Sequence, residues 1–176
     1  MPLALGMRRP DAADHAPFLQ AYIDRVPDGD VFEHLARQAK VTTARLFAIG
    51  EARAGSIYAP GKWPVRRVLQ HVVDGERLLC YRALCIARGD TGNLPGFDED
   101  LYAANDGSDG RLLADIAAEY ATVRAATLEL FRGFDGAAWA RRGTANQKSL
   151  AVRSLPWIVA GHELHHLSVL AERYGV

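Results

Sequence analysis

The chain has 176 residues, 49% of them hydrophobic, and its 21 Lys plus Arg balance 21 Asp plus Glu to a formal charge of zero at pH 7. That length and apolar content suit one domain, residues 1–176, around one continuous core. Zero net charge provides no basic field to release counterions from a phosphate backbone, so no nucleic-acid partner is expected.

The opening stretch MPLALGMRRPDAADHAPF has a brief apolar run before its arginines and lacks the basic, apolar and small-residue order of a signal peptide. No later segment approaches the ~20 uninterrupted apolar residues of a membrane span. The expectation is a cytoplasmic protein without a membrane partner, in which residues 1–29 form an extension or a short helix. From Asp30 to about Gly50, Phe32, Leu35, Ala39, Thr42, Leu46 and Ile49 recur at spacings of three and four, which predicts an amphipathic helix. Asp30 with Glu33 resembles a capping box at its start. Residues 52–62, rich in Gly and Pro, read as loop.

A second and longest helix is predicted from Pro64 to about Arg88, on the stripe Val65, Val68, Leu69, Val72, Leu79, Ala83 and Ile86. Cys80 and Cys85 on it are the only cysteines. Five residues apart on a helix they point roughly 140° away from each other, so packed free thiols are expected and not a disulfide. Between Gly89 and Gly110 the chain is rich in Gly, Asp and Pro without sustained period, which marks a functional loop or a crossover. A third helix is predicted from about Arg111 to Arg132, then another irregular stretch, then a fourth helix from about Leu155 to Tyr174 with Ser154 as its cap. No β alternation of useful length appears. Four helices joined by two long connections describe an all-α four-helix bundle with crossovers.

The fourth helix contains AGHELHHLSVLAERY, where His162 and His166 lie four residues apart and so project about 40° apart on one face. Leu155, Ile158, Val159, Val169 and Leu170 surround them on the helical wheel, so that face is also the core-facing one. Unpaired buried polar groups cost ~1 to 3 kcal/mol each, and one shared metal ion would satisfy both imidazoles. Two core histidines bonded to carbonyls or waters are the bland alternative, and His162 with His165 is a second possible chelate. His166 is preferred because it is nearer the middle of the apolar stripe. His71, at the edge of the second helix's stripe, is the third candidate ligand, and Gly75 one turn on would leave room beside it for a metal and a substrate atom. Two His from one helix and one from another is a pattern by which bundle cores build metal sites. His34 reads as a surface residue and Glu163 as facing away from the His pair, toward solvent or a helix contact. HELHH is therefore not a zinc-protease signature. Asp74 and Glu76 are read as solvated helix charges in preference to supports of the ligands. Tyr58, Trp63 and the Phe97 to Tyr102 segment are candidate pocket walls, with a helix staple and a crossover cap as the plainer readings.

The segments PGKWPVRRVLQHVVDGERLLCYRALCIARGD, LPGFDEDLY and WIVAGHELHHLSVLAERY resemble the DinB family of metalloenzymes, from about Pro27 to the C-terminus. HVVDGE matches its HxxDxE-like segment and HELHH its HxxHH segment, so the resemblance carries the three metal-binding positions onto His71, His162 and His166. It implies a four-helix bundle with crossovers and a homodimer. The broader superfamily includes mycothiol- and bacillithiol-dependent transferases and a maleylpyruvate isomerase. The resulting expectation is a metal-dependent enzyme acting on a small molecule, with a zinc, nickel, manganese or iron ion activating water or a thiol. A low-molecular-weight thiol is a candidate cofactor. A bundle in which the ion only cross-links helices is the alternative.

Overall fold

The computed structural model of the protein describes residues 8–176. In chain order it contains α1 (Gln20–Ile23), α2 (Val31–Ile49), α3 (Glu51–Ala54), α4 (Val65–Ala87), β1 (Asn93–Leu94), α5 (Glu99–Ala104), α6 (Leu113–Arg132), α7 (Gly136–Ala140), β2 (Arg142–Ala145), β3 (Lys148–Ala151) and α8 (Leu155–Val169). Wider, π-type turns continue α8 through Leu170–Tyr174. The long helices α2, α4, α6 and α8 are the four that the hydrophobic periods predict, and they form the bundle. No helix of the described residues is long and apolar enough to cross a membrane.

Local chemistry sets the helix ends. Asp30 caps α2 by accepting from the Phe32 amide at 2.8 Å, one residue short of the amide that a capping box uses. Ser154 stands at the start of α8, but its hydroxyl donates to the Ala151 carbonyl at 2.7 Å and caps nothing. Glu51–Ala54 form the extra turn α3, which takes in the first residues of the stretch 52–62 expected as loop.

The two irregular connections hold more order than their composition suggests. β1 pairs in parallel with β2, and β2 antiparallel with β3. These strands are two to four residues long, too short for alternation to register. The β2–β3 turn is built on Asn146 and Gln147, with φ of 49° and 59°, where Asn-Gly would have announced a two-residue hairpin. The first connection also holds α5, capped by Asp98 accepting from the Leu101 amide at 3.0 Å.

Each of α2 and α4 packs on both α6 and α8. The sequence neighbours α2 and α4 therefore stand on a diagonal of the bundle. One apolar cluster takes Leu35 from α2, Ile86 from α4, Leu128 from α6 and Ile158 from α8; the other takes Leu46, Val68, Ile116 and Leu167 from the same helices. The order of the clusters along the chain is the same in α2 and α8 and reversed in α4 and α6. The latter pair thus runs opposite to the former, and residues 88–112 must travel back along the bundle before α6 begins.

Between the two clusters lies a polar belt. Arg124 on α6, fully buried, bonds Glu76 of α4 through Nε and Nη2, both at 2.8 Å, and Glu163 of α8 through Nη2 at 2.6 Å. Its Nη1 donates to the Leu35 carbonyl of α2 at 3.2 Å. Tyr120 donates to Glu163 Oε1 at 3.0 Å, and Thr42 donates to the same oxygen. Burial opposes the guanidinium charge, yet Glu163 and Glu76 outweigh it and hold Arg124 firmly protonated. One network thus ties all four long helices together at mid-height.

Candidate metal centre

The same belt carries three of the chain's imidazoles. α4 supplies His71 and α8 supplies His162 and His166, and one ring nitrogen of each lies within 4.8 Å of the other two. His162 Nε2 is 3.2 Å from His71 Nε2 and 3.1 Å from His166 Nε2. The ring centroids are 4.5 to 5.1 Å apart and the ring planes are steeply inclined, so edges and not faces converge. Two ligands of a tetrahedral ion at 2.0–2.1 Å would stand about 3.3 Å apart, close to both separations. A single Nε2 hydrogen on His162 cannot be donated fully to two neighbours at once, whereas a shared cation would meet all three lone pairs. The donor set therefore fits one divalent ion.

Burial drives the imidazoles to their neutral form. His162 is held down to about 3, by burial and then by His71 and His165, and His166 to about 2, by burial and then by His162. Burial also lowers His71. Neutral imidazole is the form that ligates metal.

His165 does not join the triad. Its ring is half-buried, 4.9 Å from that of His166 and 5.5 Å from that of Tyr22. Gly75 acts differently from the expectation that it leaves free room: a Cβ there would lie 2.8 Å from His162 Cε1, so the space it leaves is taken by the His162 ring. Glu163 faces away from the triad as expected, but in the core and paired with Arg124, not toward solvent. Glu76, read as a solvated charge, is 2% exposed and holds the other side of that guanidinium. His34, read as surface, is half-buried and receives Arg37 Nη2 at 2.9 Å.

Two contributors escaped the sequence reading. Tyr22 of α1 packs edge-on to His162 at 5.4 Å. It arrives there because Gly161 has no side chain: a Cβ would lie 2.0 Å from the Tyr22 carbonyl oxygen. Arg124 carried a signal that was passed over, a charge in line with Tyr120 and Leu128 on the apolar stripe of α6.

Cavities open on two sides of the triad. One, of about 210 Å³, reaches His162 past Tyr22, Gly75 and Phe97. The other, of about 340 Å³, reaches His166 past Tyr58, Trp63 and Asp100. Of the aromatic residues expected as walls, Tyr58, Trp63 and Phe97 line these cavities and Tyr102 lines neither, and Trp63 also packs on His71 at 5.1 Å. Among the described residues no carboxylate or thiol joins the three imidazoles.

Residues 34–170 match the DinB superfamily. No curated protein matches the chain in sequence. Among solved structures, YfiT from Bacillus subtilis, reported as a probable metal-dependent hydrolase with an unusual four-helix bundle topology, superposes with a TM-score of 0.64 at 16% identity, over 94% of this chain and 93% of YfiT. A mycothiol-dependent maleylpyruvate isomerase superposes with a TM-score of 0.61, also at 16% identity, over 82% of this chain and 61% of the isomerase. At that identity the likeness is one of fold.

Proposed function

We propose that this chain, which belongs to the DinB superfamily, is a metal-dependent enzyme in which His71, His162 and His166 hold one divalent ion against a small-molecule substrate. The observation that carries the reading is the convergence of three neutral imidazoles, with His162 Nε2 at tetrahedral-edge separation from Nε2 of both His71 and His166. A zinc, nickel, manganese or iron ion bound there supplies a Lewis acid that makes water or a thiol nucleophilic near neutral pH.

The chain's own groups do the rest. The triad contributes no negative charge, so the ion's full charge is directed at whatever enters from the cavities. Tyr22 and Trp63 pack against His162 and His71, fix the ring planes and keep bulk water off those faces. The Glu76–Arg124–Glu163 network holds α4 and α8 at constant separation beneath the triad, which keeps the ligands preorganised. Catalysis is favoured over a purely cross-linking ion because among the described residues no fourth protein ligand joins the imidazoles, and two cavities reach them. The family resemblance extends the proposal to a cytoplasmic homodimer that acts by hydrolysis or by transfer involving a low-molecular-weight thiol.

Elemental analysis of protein purified without an immobilised-metal column tests this. About one divalent ion per chain is expected. No metal as isolated, and no uptake on titration with zinc, nickel, manganese or iron, would overturn it.

A further inference from the structure

The cavity that begins at His162 runs away from the triad along α4. Gly75, Leu79 and Arg82, spaced by four and three residues, share one face of that helix and all line the cavity. Seven residues at 1.5 Å each separate its two ends by about 10 Å along the axis. Leu79 lies between the two ends, and the apolar side chains of Leu19, Phe97 and Ile158 also line the cavity.

The ends differ in charge. Near the triad stands Glu99, whose carboxylate acts on both His71 and Tyr22. Away from it stands Arg82, and Lys148 of β3 lines the same cavity. Arg82 donates one bond, from Nη2 to the Pro95 carbonyl at 2.9 Å. Among the described residues no carboxylate pairs with it or with Lys148, although thirteen ion pairs occur elsewhere. A guanidinium has five donors in a planar fork, so Arg82 keeps several for a partner that enters the cavity. Burial already costs this cation part of its hydration and lowers its pKa, and an anion would restore what is lost.

We infer that Arg82, assisted by Lys148, binds the anionic end of the substrate, and that the substrate class is a small carboxylic acid with a short apolar body between its carboxylate and its reacting group. The inference rests on the metal-centre reading for which end reacts; the anion contact itself does not depend on it. Carboxylate and guanidinium meet in a bidentate pair that a neutral amide cannot reproduce.

Isothermal titration of the metal-loaded, full-length protein with 3-phenylpropanoate and with 3-phenylpropanamide tests the assignment, alongside Arg82→Gln, Arg82→Lys and Lys148→Gln. The wild type should prefer the acid by about tenfold or more, the value of a charge-assisted contact. Arg82→Gln should abolish that preference, Arg82→Lys should keep part of it, and Lys148→Gln should reduce it. Arg82→Lys keeps the charge and Lys148→Gln alters only an exposed residue, so both give a readout even where Arg82→Gln does not fold. Equal affinity for acid and amide, no binding of either, or a preference that survives Arg82→Gln would overturn the inference. A preference that survives Arg82→Gln but is lost in His166→Ala would overturn it too, by placing the carboxylate at the triad. Elemental analysis of the same samples separates the two readings: protein without an ion that still prefers the acid through Arg82 would sink the metal centre and leave the anion site standing.

Discussion

A Cβ on Gly75 would stand 2.8 Å from Cε1 of His162, so α4 gives up a side chain at the point where the α8 imidazole crosses toward His71. Gly75→Ala is expected to displace that ring and weaken metal binding by about tenfold or more, since ligand placement controls affinity. Helix propensity alone would make the same change stabilising by about 0.5–1 kcal/mol. Metal titration and denaturant unfolding of the metal-free protein, run in parallel, should therefore move in opposite or unequal directions. Unchanged affinity would mean that the His162 position is not critical.

His166→Ala removes a ring whose Nε2 lies 3.1 Å from that of His162, whereas His165→Ala removes one outside the cluster. The first should cost at least about tenfold in metal affinity and the second much less. Competition titration against a chromophoric chelator decides the order. A larger loss with His165→Ala would mean that the ligand pair is wrongly chosen.

The convergence of the three imidazoles was legible because it leaves a local mark, two histidines four residues apart on an apolar face and a third at the edge of another stripe. The partners of Arg124 were not, because pairing across helices has no sequence spacing. Glu76 and Glu163 each look like ordinary helix charges until α6 is laid between α4 and α8. The four long helices followed from their periods, while the strands escaped: a parallel pairing of Asn93 with Thr144 joins segments about fifty residues apart, with no alternation in either. Tyr22 could not be read at all, since what brings it to His162 is a backbone contact at Gly161.

Arg124→Ala leaves two buried carboxylates without their common partner, and loss of one side of a buried pair costs about 3–5 kcal/mol. Urea unfolding should show at least that loss. Arg124→Met, which fills the volume but leaves the same carboxylates unpaired, should recover little. Full recovery by Met would mean that packing, and not charge, holds the belt.

Asp14 is buried, which acts to raise its pKa, but the bonds from Arg153, the Asp11 amide and Arg142 outweigh burial and hold its carboxyl below the ordinary 3.8. A lowered folded pKa contributes stability that is fully present above the unfolded value and is lost as pH falls through the folded one. Asp14→Asn should thus be less stable than wild type by about 1–3 kcal/mol at pH 7. The gap should persist to about pH 5 and close below about pH 4, as thermal melts across that range would reveal. A gap that widened on acidification would contradict the ion-pair assignment.

Gly161→Ala places a methyl group against the Tyr22 carbonyl, at 2.0 Å without relaxation. Backbone cannot yield as a side chain can, so α1 should lift from α8 and its segment should become sensitive to limited proteolysis. Resistance equal to wild type would show that α1 is not seated through this contact.

His71 and His162 are 91 residues apart, and α8 is the last of the four long helices to be synthesised. A chain synthesised through α2, α4 and α6 therefore has Glu76 but not Glu163 for Arg124, and one imidazole of the triad, His71. The apolar surface that Trp157, Ile158 and Leu170 cover in the folded protein would stay uncovered until then, which favours association with chaperones or neighbouring chains. An ion held by His71, His162 and His166 would then bind only after the last helix is made, together with the step that closes the bundle.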